Sequence, residues 1–191
     1  IIILVLPYHS FTENTQSVSL QNVQKDAAKG HAEAQYTLGL VYYFGHGIPQ
    51  DYTQALVWFQ KAADQGHVKS QYNLGLMYFH GEGIKQDYKQ ALKWFLKAAS
   101  QGDVKAQNNL GVMYELGFGI SRNYKQALNW YQKASDQGHA NAQHKLGSMY
   151  LAGHGVVKND IRAYTWFNLA ASQNLSDAAT LRDELAKSMT P

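Results

Sequence analysis

Histidines have the widest chemical repertoire in this chain, because imidazole binds metals and transfers protons near neutral pH. The 191-residue sequence contains eight of them. A zinc-binding helix presents two histidines four positions apart, whereas His139 and His144 are five apart. His31, His67 and His139 each directly follow a glycine, which is typical of a turn or a helix cap. We therefore predict no metal site.

Four Gly-x-Gly turns are the second chemically suggestive feature, since glycine-rich loops cradle phosphate groups. They are Gly45-His46-Gly47, Gly81-Glu82-Gly83, Gly117-Phe118-Gly119 and Gly153-His154-Gly155. A dinucleotide loop needs a third glycine three residues further on, and a phosphate loop needs Gly-Lys-Ser/Thr. Neither pattern follows these turns. We interpret them as helix-to-helix turns whose middle residue faces solvent, and we predict no cofactor.

The remaining composition argues against catalysis and against nucleic-acid binding. Serine, histidine and acidic residues are present, but no Gly-x-Ser-x-Gly elbow holds a nucleophile. The absence of cysteine excludes disulfides, thiolate metal sites and cysteine nucleophiles. The 17 basic and 14 acidic residues are scattered along the chain and give a formal net charge of +3, so no basic stripe is available for phosphates. We predict a protein that is not an enzyme.

A 36-residue repeat organises the chain. Leu38-Gly39 recurs at this spacing (74 − 38), as Leu74-Gly75, Leu110-Gly111 and Leu146-Gly147. The four tryptophans share one further position of the unit, which predicts that they belong to the core: Trp58, Trp94, Trp130 and Trp166. Four full repeats result, over residues 31–66, 67–102, 103–138 and 139–174.

Each repeat contains two amphipathic helices. In the first repeat, Leu38 and Tyr42 fall on one face of the first helix, and Ala55 and Phe59 on one face of the second. An N-cap residue followed three positions later by glutamine predicts the start of the second helix: Asp51 with Gln54, Asp87 with Gln90, and Asn123 with Gln126. A glycine with positive φ is expected to end it.

The successive patterns A-x-A-Q-Y-x-L-G-x-x-Y, G-x-G and D-Y-x-x-A-x-x-W-F-x-K-A-A-x-Q-G resemble the Sel1-like repeat, a relative of the tetratricopeptide repeat. The resemblance implies an all-α fold, built as a right-handed α-solenoid of antiparallel helix pairs. It also implies a role as an adaptor in protein complexes, often in exported bacterial proteins. The fourth repeat departs mildly from the pattern, with Asp160 in place of tyrosine and Asn174 in place of the closing glycine.

The segments outside the four repeats carry separate predictions. Residues 1–16 form an apolar or flexible arm that begins Ile-Ile-Ile-Leu-Val-Leu without an initiator methionine, so we expect further residues upstream. This run is too short to span a bilayer; it is either the remnant of a signal peptide or an arm packed on the end of the solenoid. Residues 17–30 are expected to form a half-repeat helix, and residues 175–191 a capping helix and tail. We expect a periplasmic or secreted protein, with a cytoplasmic location as the alternative, and no membrane span.

In tetratricopeptide proteins the first helix of each repeat lines a concave groove, and the resemblance carries this role to one set of positions. They are aromatic in the first two repeats and more polar in the last two: Tyr36, Leu40, Tyr43, Phe44, Tyr72, Leu76, Phe79 and His80, then Asn108, Glu115, His144 and Leu151. Exposed aromatic residues beside polar groups suit a peptide hot spot; packing between repeats is the alternative. We expect Tyr72→Ala with Phe79→Ala to abolish partner capture and to leave the helices intact.

The sequence favours a monomeric, non-enzymatic scaffold that binds a protein or peptide on this concave face. Two other classes stay open. One is a hydrolase of cell-wall or β-lactam-type substrates, because some repeat proteins of this type have been linked to such ligands. The other is a structural spacer that associates with itself.

Overall fold

The computed structural model describes residues 20–189, which form ten α-helices and, over that range, no β-strand. The helices, in chain order, are α1 (Leu20–Ala28), α2 (Ala32–Phe44), α3 (Tyr52–Asp64), α4 (Val68–His80), α5 (Tyr88–Ser100), α6 (Val104–Leu116), α7 (Tyr124–Asp136), α8 (Ala140–Ala152), α9 (Asp160–Ala171) and α10 (Ser176–Met189). They group into two compact units that divide between Asp103 and Val104, which we call unit 1 and unit 2. The predicted arm at residues 1–16 lies outside the described residues.

Consecutive helices pack against each other inside each unit: α2 with α3 and α4 with α5 in unit 1, α6 with α7 and α8 with α9 in unit 2. The pairs are antiparallel. The end of α2 meets the start of α3, where the rings of Tyr43 and Tyr52 lie 5.0 Å apart, and the helix centres meet where Gly39 contacts Phe59. The predicted all-α fold of antiparallel helix pairs is confirmed.

The Leu-Gly motif has a steric cause. A Cβ atom at Gly39, Gly75, Gly111 or Gly147 would lie 2.4 to 2.6 Å from a ring carbon of the paired second helix, far inside van der Waals contact. Those rings fill the centre of each helix pair and are completely buried: Phe59, Phe95, Tyr131 and Phe167. Glycine is therefore the residue that lets the two helices approach around one aromatic ring.

The tryptophans lie beside this ring, at the edge of the core. Trp94 is buried, whereas the other three are half-buried. In the first three repeats a lysine ammonium covers the indole, 3.9 Å (Lys61 and Trp58), 4.1 Å (Lys97 and Trp94) and 4.3 Å (Lys133 and Trp130) from its centroid. The prediction of a buried tryptophan therefore holds in full only for Trp94. The residue after each tryptophan is the central aromatic of the repeat.

The predicted caps are confirmed with one exception. The Asp51 side chain accepts from the Gln54 backbone amide at 3.0 Å, and Asp87, Asn123 and Asn159 begin their helices in the same way. The side chains of His67 and His139 also accept a backbone amide at the start of α4 and α8, whereas the side chain of His31 makes no cap bond. Asn174 has a φ of +64°, which asparagine tolerates better than most residues, so it replaces the closing glycine of the fourth repeat.

Buried glutamines join successive elements, a role that the sequence patterns did not predict. The Gln35 side chain accepts from Gln65 Nε2 at 2.7 Å and donates to the Ala27 carbonyl at 3.2 Å. The same glutamine pair recurs in the other repeats, as Gln71 with Gln101, Gln107 with Gln137, and Gln143 with Gln173. Each pair ties the end of a second helix to the first helix of its own repeat.

Two of the described helices, α1 and α10, precede and follow the four repeats. Helix α1 occupies the register of a second helix, and α10 that of a first helix, in which Leu185 takes the place of Met149 and is buried. In α10 the Leu-Gly pair is replaced by Arg182 and Asp183, whose side chains form an ion pair at 2.8 Å.

Candidate functional site

The predicted groove positions of unit 1 are mostly closed. Six of them are at most 9% exposed: Tyr36, Leu40, Tyr43, Tyr72, Leu76 and Phe79. Phe44 is half-buried and His80 is exposed. Four aromatic positions, Tyr36, Tyr43, Tyr72 and Phe79, therefore offer a ligand little accessible surface.

Tyr36 shows how such a position is closed. Its ring centroid lies 4.8 Å from that of His67 and 6.0 Å from that of Phe59, and a hydrogen bond joins its hydroxyl to the Asn73 side chain of the next first helix. Burial, with a smaller contribution from Glu33, raises the pKa of Tyr36 to about 12. The phenol is therefore a neutral structural group.

Two of the Gly-x-Gly turns, those of the second and fourth repeats, contact the preceding repeat, which corrects the expectation that their middle residues only face solvent. Glu82 accepts a 2.7 Å hydrogen bond from the Tyr43 hydroxyl, and burial together with this bond raises the pKa of Tyr43. In unit 2 the His154 ring stacks on Tyr124, with centroids 4.4 Å apart and planes 14° apart. The turns thus help to hold consecutive repeats together.

The corresponding positions of unit 2 are more open. Asn108, Glu115, His144 and Leu151 are all half-buried and retain accessible surface. With the adjacent Lys145 they form what we call the polar face of unit 2. These four positions retain accessible surface, as do Phe44 and His80 in unit 1.

Glu115 is the charged centre of the polar face. It accepts a 2.6 Å hydrogen bond from the Tyr131 hydroxyl and pairs with the Lys145 ammonium at 3.1 Å. Burial and the neighbouring Glu115 carboxylate raise the pKa of Tyr131 well above its usual range. Tyr131 and Lys145 were not among the predicted groove residues. The signal was present, because the third repeat replaces phenylalanine by Tyr131 and also carries an acid where the first two have an aromatic residue.

Asn108 and His144 contribute polar groups that no part of the described chain satisfies. Asn108 Oδ1 and His144 Nε2 are shielded from solvent and have no hydrogen-bond partner. Burial, and then the Lys145 ammonium, lower the pKa of His144. The ring is consequently neutral near pH 7, with one donor and one acceptor nitrogen.

The polar face can donate and accept hydrogen bonds, but it does not assemble an activated nucleophile. The Ser148 hydroxyl, the nearest candidate in sequence, donates to the His144 main-chain carbonyl at 3.1 Å. Between residues 20 and 189, no three His, Asp or Glu side chains are grouped so as to hold a metal ion. Within the same range no helix has the length and apolarity needed to cross a membrane.

Two antiparallel helices per 36 residues, stacked in register, define an α-helical repeat protein. The family model described as Sel1 repeat matches residues 32–67, 68–103, 104–139 and 140–175. The chain therefore belongs to the Sel1 repeat family, as the motifs predicted. A search of curated proteins found no match.

Three solved structures illustrate the similarity. A protective antigen present in uropathogenic Escherichia coli strains, displaying an SLR fold, is 41% identical with a TM-score of 0.79 over 80% of this chain and 33% of its own. A Sel1 repeat protein from Oxalobacter formigenes is 34% identical with a TM-score of 0.77 over 80% of this chain and 63% of its own. Cysteine-rich protein B of Helicobacter pylori is 26% identical with a TM-score of 0.52 over 64% of this chain and 93% of its own. The chain thus spans a third of the first relative and less than two thirds of the second.

Proposed function

We propose that this chain is a non-enzymatic scaffold that binds a protein or peptide through the polar face of unit 2. One observation carries the proposal: six of the eight predicted groove positions in unit 1 are buried, whereas all four in unit 2 retain accessible surface. Sel1 repeat proteins typically serve as protein-interaction scaffolds, which supports the class of function. We further propose that it acts as a monomer and that it lies outside the cytoplasm; the proposed location depends on interpreting the apolar run Ile1–Leu6 as the remnant of a signal peptide.

The chemistry of the polar face fits a peptide segment better than a polyanion. Its ammonium group, on Lys145, is already paired with Glu115, so the pair contributes little net charge. Leu151 adds an apolar contact, and Asn108 and His144 add hydrogen-bonding groups. Peptides present this mixture of apolar side chains and amides, whereas nucleic-acid binding depends on unpaired basic groups.

Site-directed photocrosslinking tests the proposal. A photoreactive residue at Leu116, which follows Glu115 and is 47% exposed, should form adducts with a partner in extract of the native cells. The same residue at Asn129, which is exposed on α7, is the matched control and should form none. Equal adducts from both positions would exclude the polar face as the binding surface. Adducts of twice the chain mass would support the self-associating spacer instead.

A further inference from the structure

Asn108 and His144 occupy one register position in two consecutive first helices, the position that holds Tyr36 and Tyr72 in unit 1. In unit 1 the arrangement is self-sufficient, because the Tyr36 hydroxyl is hydrogen-bonded to Asn73, one register position further on in the next first helix. The equivalent neighbours in unit 2 are Lys145 for Asn108 and Leu181 for His144. The asparagine that partners Tyr36 in unit 1 is therefore absent beside both Asn108 and His144.

Neither replacement satisfies the polar group beside it. The Lys145 ammonium pairs with Glu115 at 3.1 Å, and the Leu181 side chain has no hydrogen-bonding atom. Asn108 Oδ1 and His144 Nε2 are accordingly shielded from water and unpaired. Buried polar atoms in folded proteins almost always have partners, so two such groups at matching positions of one surface call for an explanation.

We infer that Asn108 and His144 bind the main chain of an extended peptide, which supplies the hydrogen bonds that unit 2 lacks. The inference rests on the proposed function and specifies which chemical groups of the peptide are bound. A carboxamide offers a donor and an acceptor, as does a neutral imidazole, and each matches the N–H and C=O of a peptide group. Because Asn108 Oδ1 has no partner in the described chain, rotation about the last torsion of the side chain turns either atom of the carboxamide toward the ligand.

The spacing of the two residues fits this ligand. Helices α6 and α8 contact each other, and the axes of packed helices lie about 8–10 Å apart. An extended chain advances about 3.3 Å per residue, so the two side chains are separated by about three residues of such a peptide. A carboxylate ligand fits less well, since the Lys145 ammonium is already paired.

A selection with random 12-residue peptides tests the inference on the full chain. Peptides enriched on the wild type should bind the double variant Asn108→Ala/His144→Ala at least tenfold more weakly, and the control variant Asn129→Ala unchanged. Replacing single peptide amides by esters should then weaken binding to the wild type at two positions about three residues apart. The same replacements should have no effect on the double variant.

A stability measurement separates a binding role from a structural one. Since the double variant removes unpaired buried groups, its thermal midpoint should equal or exceed that of the wild type. If selected peptides bind the double variant as tightly as the wild type, the inference fails and the proposed function stands. If no peptide is enriched on beads that carry the wild type relative to beads that lack protein, both the inference and the proposed function fail. A lowered midpoint together with lost binding would also overturn the inference, because the residues would then support the fold.

Discussion

Units 1 and 2 share one architecture but treat the same surface in opposite ways. In unit 1 four of the groove positions carry tyrosine or phenylalanine side chains that are buried, with Tyr36 held by Asn73 and Tyr43 by Glu82. In unit 2 they carry Asn108, Glu115 and His144, which stay half-exposed. Large rings close the space between stacked first helices, whereas smaller or charged groups leave it open. Substitution of two or three buried aromatic residues by polar ones thus gives a repeat an accessible polar surface, and the repeat loses the packing of those rings.

The largest expected effect tests whether the surface of unit 1 is closed. Tyr72→Ala and Phe79→Ala each remove a buried ring, and the loss of a buried aromatic side chain costs about 3–5 kcal/mol. We therefore expect the pair to destabilise unit 1 severely, which replaces the sequence-based expectation that the helices would stay intact. Urea unfolding followed by circular dichroism measures the change.

His80→Ala is the matched control, because His80 is exposed in the same helix and its loss should cost no more than about 0.5 kcal/mol. Retention of the wild-type midpoint by Tyr72→Ala/Phe79→Ala would mean that the unit 1 surface is accessible. The contrast between the two units would then disappear.

A second prediction concerns variants that give the third repeat the side chains of the second repeat. Glu115→Ala leaves the Tyr131 hydroxyl buried without an acceptor, and such a loss costs about 1–3 kcal/mol. The double variant Glu115→Phe/Tyr131→Phe reproduces the Phe79 and Phe95 combination of the second repeat and should regain most of that free energy of unfolding. Chemical denaturation of Glu115→Phe, Tyr131→Phe and the double variant gives the coupling energy. Additive costs would show that the hydrogen bond at 2.6 Å contributes nothing to the difference between the units.

The elements of both units were predictable from sequence, because they depend on local signals. The N-cap at Asp51 and the closing glycines each act within one turn, and the glycine of each Leu-Gly pair answers to one ring of the paired helix in the same repeat. Positive φ and an unpaired backbone amide restrict which residues fit. These signals recur four times, so chance matches are excluded.

The accessible part of each first helix was not predictable in the same way. Helix α4 buries Tyr72, Leu74, Phe79 and also the polar Gln71 and Asn73, so burial surrounds the helix instead of following one stripe. Whether a position is open then depends on side chains in neighbouring repeats. The unpaired groups at Asn108 and His144 illustrate this, since they arise from the residues at 145 and 181.

The smallest expected effect is on the pH dependence of stability, to which His144 of unit 2 contributes. Burial and the Lys145 ammonium lower the pKa of His144 from its ordinary value of 6.5, against weaker opposing effects of Asp177 and Glu115. The unfolded chain therefore binds the proton at a higher pH than the folded chain does, so this contribution to stability is complete above pH 6.5 and declines as the pH falls below it. His144→Asn, which copies the residue at 108, should reduce the loss of stability between about pH 7 and 5, as measured by urea midpoints across that range. An unchanged pH dependence in His144→Asn would assign the acid sensitivity to other groups and remove His144 from the contrast between the two faces.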